Sequence, residues 1–128
     1  MSNSSKMKKN ILIVDDSESI RELVGITLID AGFDVIKAVN GKDAFKKLQK
    51  SEVDLVLTDL NMPEVDGIML VKNIRKYDKY KYLPVLILTT ESETKKRVEA
   101  KESGATGWIV KPFDKERLLN IIKKVIRK

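Results

Sequence analysis

The chain has 128 residues, 42% hydrophobic and 34% charged, enough for one compact core and too few for two ordinary domains. It contains neither cysteine nor histidine, which excludes disulfides, thiolate metal sites, a histidine base and a phosphohistidine carrier and leaves carboxylates, hydroxyls and lysine to carry any chemistry. The formal charge of +6 comes mostly from lysines spread along the whole chain, the pattern of a solvated surface rather than of a nucleic-acid face.

Residues 1–9 (MSNSSKMKK) are small, polar and basic and are expected to form a flexible lead to a domain at 10–128. No apolar run approaches the roughly 20 residues that cross a bilayer, so a cytoplasmic protein is expected. The first strand is predicted at Ile11 to Val14. A helix follows, with Ile20, Leu23, Val24, Thr27, Leu28 and Ala31 at helical spacing, a capping-box pattern in Ser19 and Glu22, and Gly32 where a left-handed C-terminal cap belongs. A weaker strand at Asp34 to Ala38 leads to a helix at about Lys42 to Gln49 behind Asn40. Leu55 to Thr58 reads as the third strand, and Gly67 to Tyr77 as a helix capped by Asp66. Val85 to Leu88 is the fourth strand. The fourth helix, Ser92 to Ser103, has little to anchor it, since Val98 is its only sizeable apolar residue and Ala100 lies off that face. Trp108 to Val110 is the fifth strand, and a last helix from Lys115 to Arg127 follows Asp114. Unbroken apolar strands imply burial on both faces. Five alternations of strand and helix through right-handed crossovers imply an α/β, doubly wound, five-stranded parallel sheet of order 2-1-3-4-5, flavodoxin-like, with five helices.

In such sheets a ligand crevice opens at the carboxyl ends of the strands, where the strand order reverses. Asp15 and Asp16 follow the first strand, Asp59 the third, Thr89 and Thr90 the fourth, and Lys111 the fifth. Taken singly, each has a plainer reading as a turn, a cap or a surface lysine. Together at four strand ends they supply complementary chemistry that independent caps have no reason to supply. Three close carboxylates repel one another unless a hard cation sits between them, and oxygen-only ligands favour Mg²⁺, with Mn²⁺ as a substitute. Asp59 is then placed to attack an in-line phosphorus while Lys111 neutralises charge on the phosphoryl oxygens.

The segments ILIVDDS at 11–17, LVLTDLNMPEVDG at 55–67, LILTTE at 86–91 and GATGWIVKPF at 104–113 resemble the response-regulator receiver family over essentially all of residues 10–128. The resemblance implies that Asp59 is the phosphorylated residue. It implies metal ligands in Asp16, Asp59 and the backbone carbonyl of Asn61, with Asp15 acting largely through water. Thr89 would hydrogen-bond the arriving phosphoryl group, Lys111 would pair with it, and the Lys111–Pro112 bond would be cis. Trp108 stands where the family usually has a Tyr or Phe that turns inward on activation; its plainer reading is a partly buried packing residue. Asn61 and Glu91 would tune access of hydrolytic water.

Within the family the chain looks most like its single-domain chemotaxis members, with no DNA-binding output domain after the fifth helix. The implied protein is a monomer, not an enzyme beyond catalysing its own phosphorylation and dephosphorylation. Its implied partners are a histidine kinase as phosphodonor, a flagellar motor switch protein and a phosphatase, without nucleic acid or membrane. An alternative within signalling is a phosphorelay intermediate that passes the group to a histidine phosphotransfer protein. A flavin-binding protein of the same fold lacks support, because no Ser/Thr- and Gly-rich phosphate loop follows the first strand. A nucleic-acid binder is suggested by net charge alone, and steeply salt-dependent DNA affinity would favour it.

Overall fold

A computed structural model describes residues 8–126; most of the expected lead, residues 1–7, and the expected helix end at Arg127 lie outside that range. The strands are β1 (Asn10–Val14), β2 (Asp34–Ala38), β3 (Leu55–Thr58), β4 (Val85–Thr89) and β5 (Gly107–Val110), all parallel in the order β2-β1-β3-β4-β5. The helices are α1 (Glu18–Asp30), α2 (Gly41–Lys50), α3 (Gly67–Arg75), α4 (Thr94–Ser103) and α5 (Lys115–Ile126). The expected fold class and strand order are those observed.

Alternation along each strand divides the core in two. Ile11, Ile13, Leu55, Leu57, Leu86 and Leu88 face α1 and α5, meeting Val24, Leu28, Leu118 and Ile122. Leu12, Val14, Val56 and Ile87 face the other way, onto Ala44 and Leu48 of α2, Val71 and Ile74 of α3, and Ala100 of α4. Each such fully buried aliphatic side chain contributes about 1.5–3 kcal/mol relative to exposure. Burial on both faces holds for β3 and β4, but the edge strands depart from it, with Val110 of β5 exposed and Asp34 of β2 in solvent.

Caps set the helix boundaries. Asn40 and Asp66 accept from the N–H groups of Asp43 and Met69, as their positions predict. For α1 the predicted capping box gives way to Ser17, whose hydroxyl accepts from Ile20 N–H, leaving Ser19 inside the helix. Gly32 takes the left-handed conformation, φ 100°. Leu23, expected on the packed face of α1, is instead exposed with Ile26 and Ile29, while Val24, Thr27 and Leu28 are buried. Helix α3 ends at Arg75, and a short 3-10 turn at Asp78–Tyr80 follows that periodicity does not signal. In α4, Val98 is 49% exposed, and Ala100, at 1%, is the residue that meets the core.

Candidate functional site

Backbone pairing runs one residue past the strand ends and carries the polar residues with it. Asp15 N–H donates to Ala38 O, Asp59 N–H to Val14 O and Lys111 N–H to Thr89 O. Each of these side chains therefore stands on backbone fixed by the sheet, and all stand at its carboxyl end. Oxygens of Asp15, Asp16 and Asp59 lie within 4.8 Å of one another. The Lys111 ammonium is 3.4 Å from Asp15 Oδ2 and 3.7 Å from Asp59 Oδ1. A cis Lys111–Pro112 bond is present, as the resemblance implies.

The three carboxylates differ in setting. Asp15 is 3% exposed, and its Oδ1 accepts from Ser17 N–H at 2.9 Å while its Oδ2 faces Lys111. Arg21 donates through Nη1 to the Asp15 carbonyl oxygen at 2.7 Å. Asp16 is exposed. Asp59 is half-buried, and its Oδ1 accepts from Leu60 N–H at 2.8 Å. Burial pushes the Asp59 carboxyl above its ordinary pKa; Lys111 and the Leu60 N–H oppose the rise, and Asp15 and Asp16 add to it. Three oxygen donors of like charge, without nitrogen or sulfur, suit a hard divalent cation, and the residues present fit Mg²⁺.

The loop after β3 passes close to the helix that follows it. Gly67 N–H donates to Leu60 O, and an ideal Cβ on Gly67 would lie 2.5 Å from Asp59 O. Only glycine admits this approach. The loop carries Asn61, exposed two residues beyond Asp59.

Thr89, fully buried at the end of β4, accepts from Glu91 N–H through Oγ1 at 3.1 Å. The Glu91 carbonyl oxygen in turn accepts from Trp108 Nε1 at 3.1 Å. Thr89 and Trp108 are thus joined through one peptide segment. Trp108 is partly buried, packs on the core beneath α4, and lines a cavity of about 430 Å³ with Thr94, Val98 and Lys101. Asp15, Asp16, Asp59, Thr89 and Lys111 therefore lie at the carboxyl end of the sheet, Asn61 and Glu91 in the segments that adjoin it, and Trp108 within β5. Sequence reasoning missed the backbone N–H groups of Ser17 and Leu60 and the Arg21 guanidinium. The first two leave no side-chain signal, and Arg21 reads as a surface cation until α1 is placed.

The description "Response regulator receiver domain" matches residues 11–123. Chemotaxis protein CheY-3 of Vibrio cholerae is 41% identical over 92% of this chain and 92% of its own length. The structure of Vibrio cholerae chemotaxis protein CheY4 superposes with a TM-score of 0.89 at 45% identity, covering 93% of this chain and 99% of that one. The probable transcriptional regulator ycf29 of Porphyra purpurea is 38% identical over 94% of this chain, which spans only 57% of that protein.

Proposed function

The chain belongs to the response regulator receiver domain family, and we propose from this that it is a single-domain response regulator, phosphorylated on Asp59 by a histidine kinase in a Mg²⁺-dependent reaction. The observation that carries the reading is the Lys111 ammonium set beside Asp15 and Asp59 within one three-carboxylate cluster. Asp16, Asp59 and the Asn61 carbonyl, with Asp15 largely through water, would hold Mg²⁺, which would supply charge neutralisation at the phosphoryl oxygens.

The residues divide the remaining work. Leu60 N–H and Lys111 hold one oxygen of Asp59, leaving the other to form the new bond to phosphorus. The P–N bond of a phosphohistidine donor breaks in line, and the departing imidazole takes up a proton from solvent. Lys111 exchanges its carboxylate partners for a phosphoryl oxygen. Thr89 gives up its bond from Glu91 N–H as its hydroxyl turns to donate to another, and the Glu91 peptide transmits that movement to Trp108. The phosphorylated form presents α4, β5 and α5 to a target, for which the similarity to chemotaxis proteins supports the flagellar motor switch. A phosphatase resets it, and the protein works as a cytoplasmic monomer. Among the described residues, no helix is long and apolar enough to cross a membrane.

The relay alternative has an observation of its own. Leu23, Ile26 and Ile29 form an exposed apolar stripe on α1, and a helical histidine phosphotransfer protein is a surface suited to cover it. The experiment is to incubate the protein and Asp59→Asn with a radiolabelled, autophosphorylated chemotaxis histidine kinase. Label should pass to the wild type alone. Label on both proteins would refute the assignment of Asp59. Binding of the beryllofluoride-activated protein to a motor switch fragment, against transfer of label onward to a histidine phosphotransfer protein, separates the two readings.

A further inference from the structure

A second concave feature lies between α2 and α3. A groove of about 470 Å³ runs there, with Phe45, Tyr77 and Val65 among its lining residues. The two rings are 5.2 Å apart between centroids, and Tyr77 remains 47% exposed although it packs against Phe45. Lys42, Lys46 and Lys76 also line the groove, all exposed and none in a salt bridge among the described residues. A single carboxylate, Glu64, opposes them along the lining.

We propose that this groove is a docking site for an acidic peptide segment bearing an aliphatic or aromatic anchor. Charge complementarity selects the acidic partner, since three cations against one anion leave the lining positive. The concave shape and ring-bearing wall select a peptide with an apolar side chain over a nucleic-acid backbone, which needs phosphate contacts and no such anchor, and over a flat lipid surface. Glu64 and Val65 belong to the same loop as Asn61, so an occupant would touch the segment that connects Asp59 to α3. The site does not depend on the phosphorylation reading, and its test uses no phosphodonor.

The probe is a short fluorescein-labelled peptide of Glu and Asp surrounding one Leu-Phe pair, titrated by fluorescence polarisation, with amide shifts recorded on the ¹⁵N-labelled protein. The double variant Lys42→Glu/Lys46→Glu should weaken binding by about tenfold or more. The same charge change at Lys123→Glu/Lys124→Glu, on the opposite side of the sheet, should leave affinity unchanged, and circular dichroism verifies that both variants fold. Replacing Leu-Phe by Gly-Ser in the peptide should also weaken it. Shifts should centre on residues 42–49 and 64–77. No saturable binding, equal loss from the two variants, or shifts centred on α4 and β5 would overturn the proposal. So would duplex DNA or phosphatidylglycerol vesicles binding more tightly than the peptide through Lys42 and Lys46, which would assign the patch to another class of partner.

Discussion

Burial pushes the Asp59 carboxyl above its usual range, so ionisation costs the fold something that neutral Asp59 would not. A folded pKa above the unfolded one means that the penalty is absent at low pH, grows as pH rises from the unfolded value of about 4, and is complete above the folded value. In chelator at neutral pH, Asp59→Asn should therefore melt at a higher temperature than wild type. The gap should close as pH falls below about 4. Scanning calorimetry across that range checks it, and a gap independent of pH would show that ionisation is not the cause. The residues whose gathering at the sheet's carboxyl end was legible from sequence, Asp15, Asp16, Asp59, Thr89 and Lys111, are those whose side chains would do the proposed chemistry. Ser17 and Leu60 contribute backbone N–H groups, for which one residue type serves nearly as well as another.

Helix α4 shows how an element can be legible while its packing is not. Its weak anchoring follows from composition, yet the anchor is Ala100 and the larger Val98 faces solvent. Period alone assigns a face only when several apolar residues share it. Val98→Ala should change stability by less than about 0.5 kcal/mol, whereas Ala100→Leu should cost about 1–3 kcal/mol by overpacking. Urea midpoints distinguish the two. The C-terminal end of α4 is tied down by Arg75, which donates to Gly104 O through Nε at 3.1 Å and Nη2 at 2.9 Å, and to Tyr80 O and Leu83 O through Nη1. Its N-terminal end has no side-chain cap, and Glu91 nearby bridges Thr89 and Trp108. A bias of about 1–3 kcal/mol at the site suffices to shift such an element. Beryllofluoride with Mg²⁺ should change the emission of Trp108, the sole tryptophan, after the effect of metal alone is subtracted. Thr89→Ala should weaken that change while leaving metal binding intact; an undiminished change would remove Thr89 from the connection.

For the molecule as a whole, alternation of strand and helix pointed to the observed sheet order, and the crevice rule pointed to the candidate site. The short turn at Asp78–Tyr80 and the exposed stripe of Leu23, Ile26 and Ile29 were not legible, because both depend on which neighbours pack against them. The fold holds three carboxylates together, so a cation that binds only the native state should raise stability by mass action. At a Mg²⁺ concentration about 100-fold above Kd the gain is about 2.7 kcal/mol, and the melting temperature should rise by several degrees. Asp16→Asn should abolish most of that rise. An equal rise in the variant would locate metal binding elsewhere.

On the proposed reading, this arrangement makes Asp59 the acceptor of a phosphoryl group. Treatment with a small phosphodonor such as acetyl phosphate, with no kinase present, followed by intact-mass measurement and peptide mapping, tests it most directly. With Mg²⁺, one phosphoryl group should appear on the peptide containing Asp59, and it should be absent with chelator and absent in Asp59→Asn. Modification of another side chain, or an adduct retained in Asp59→Asn, would contradict the account.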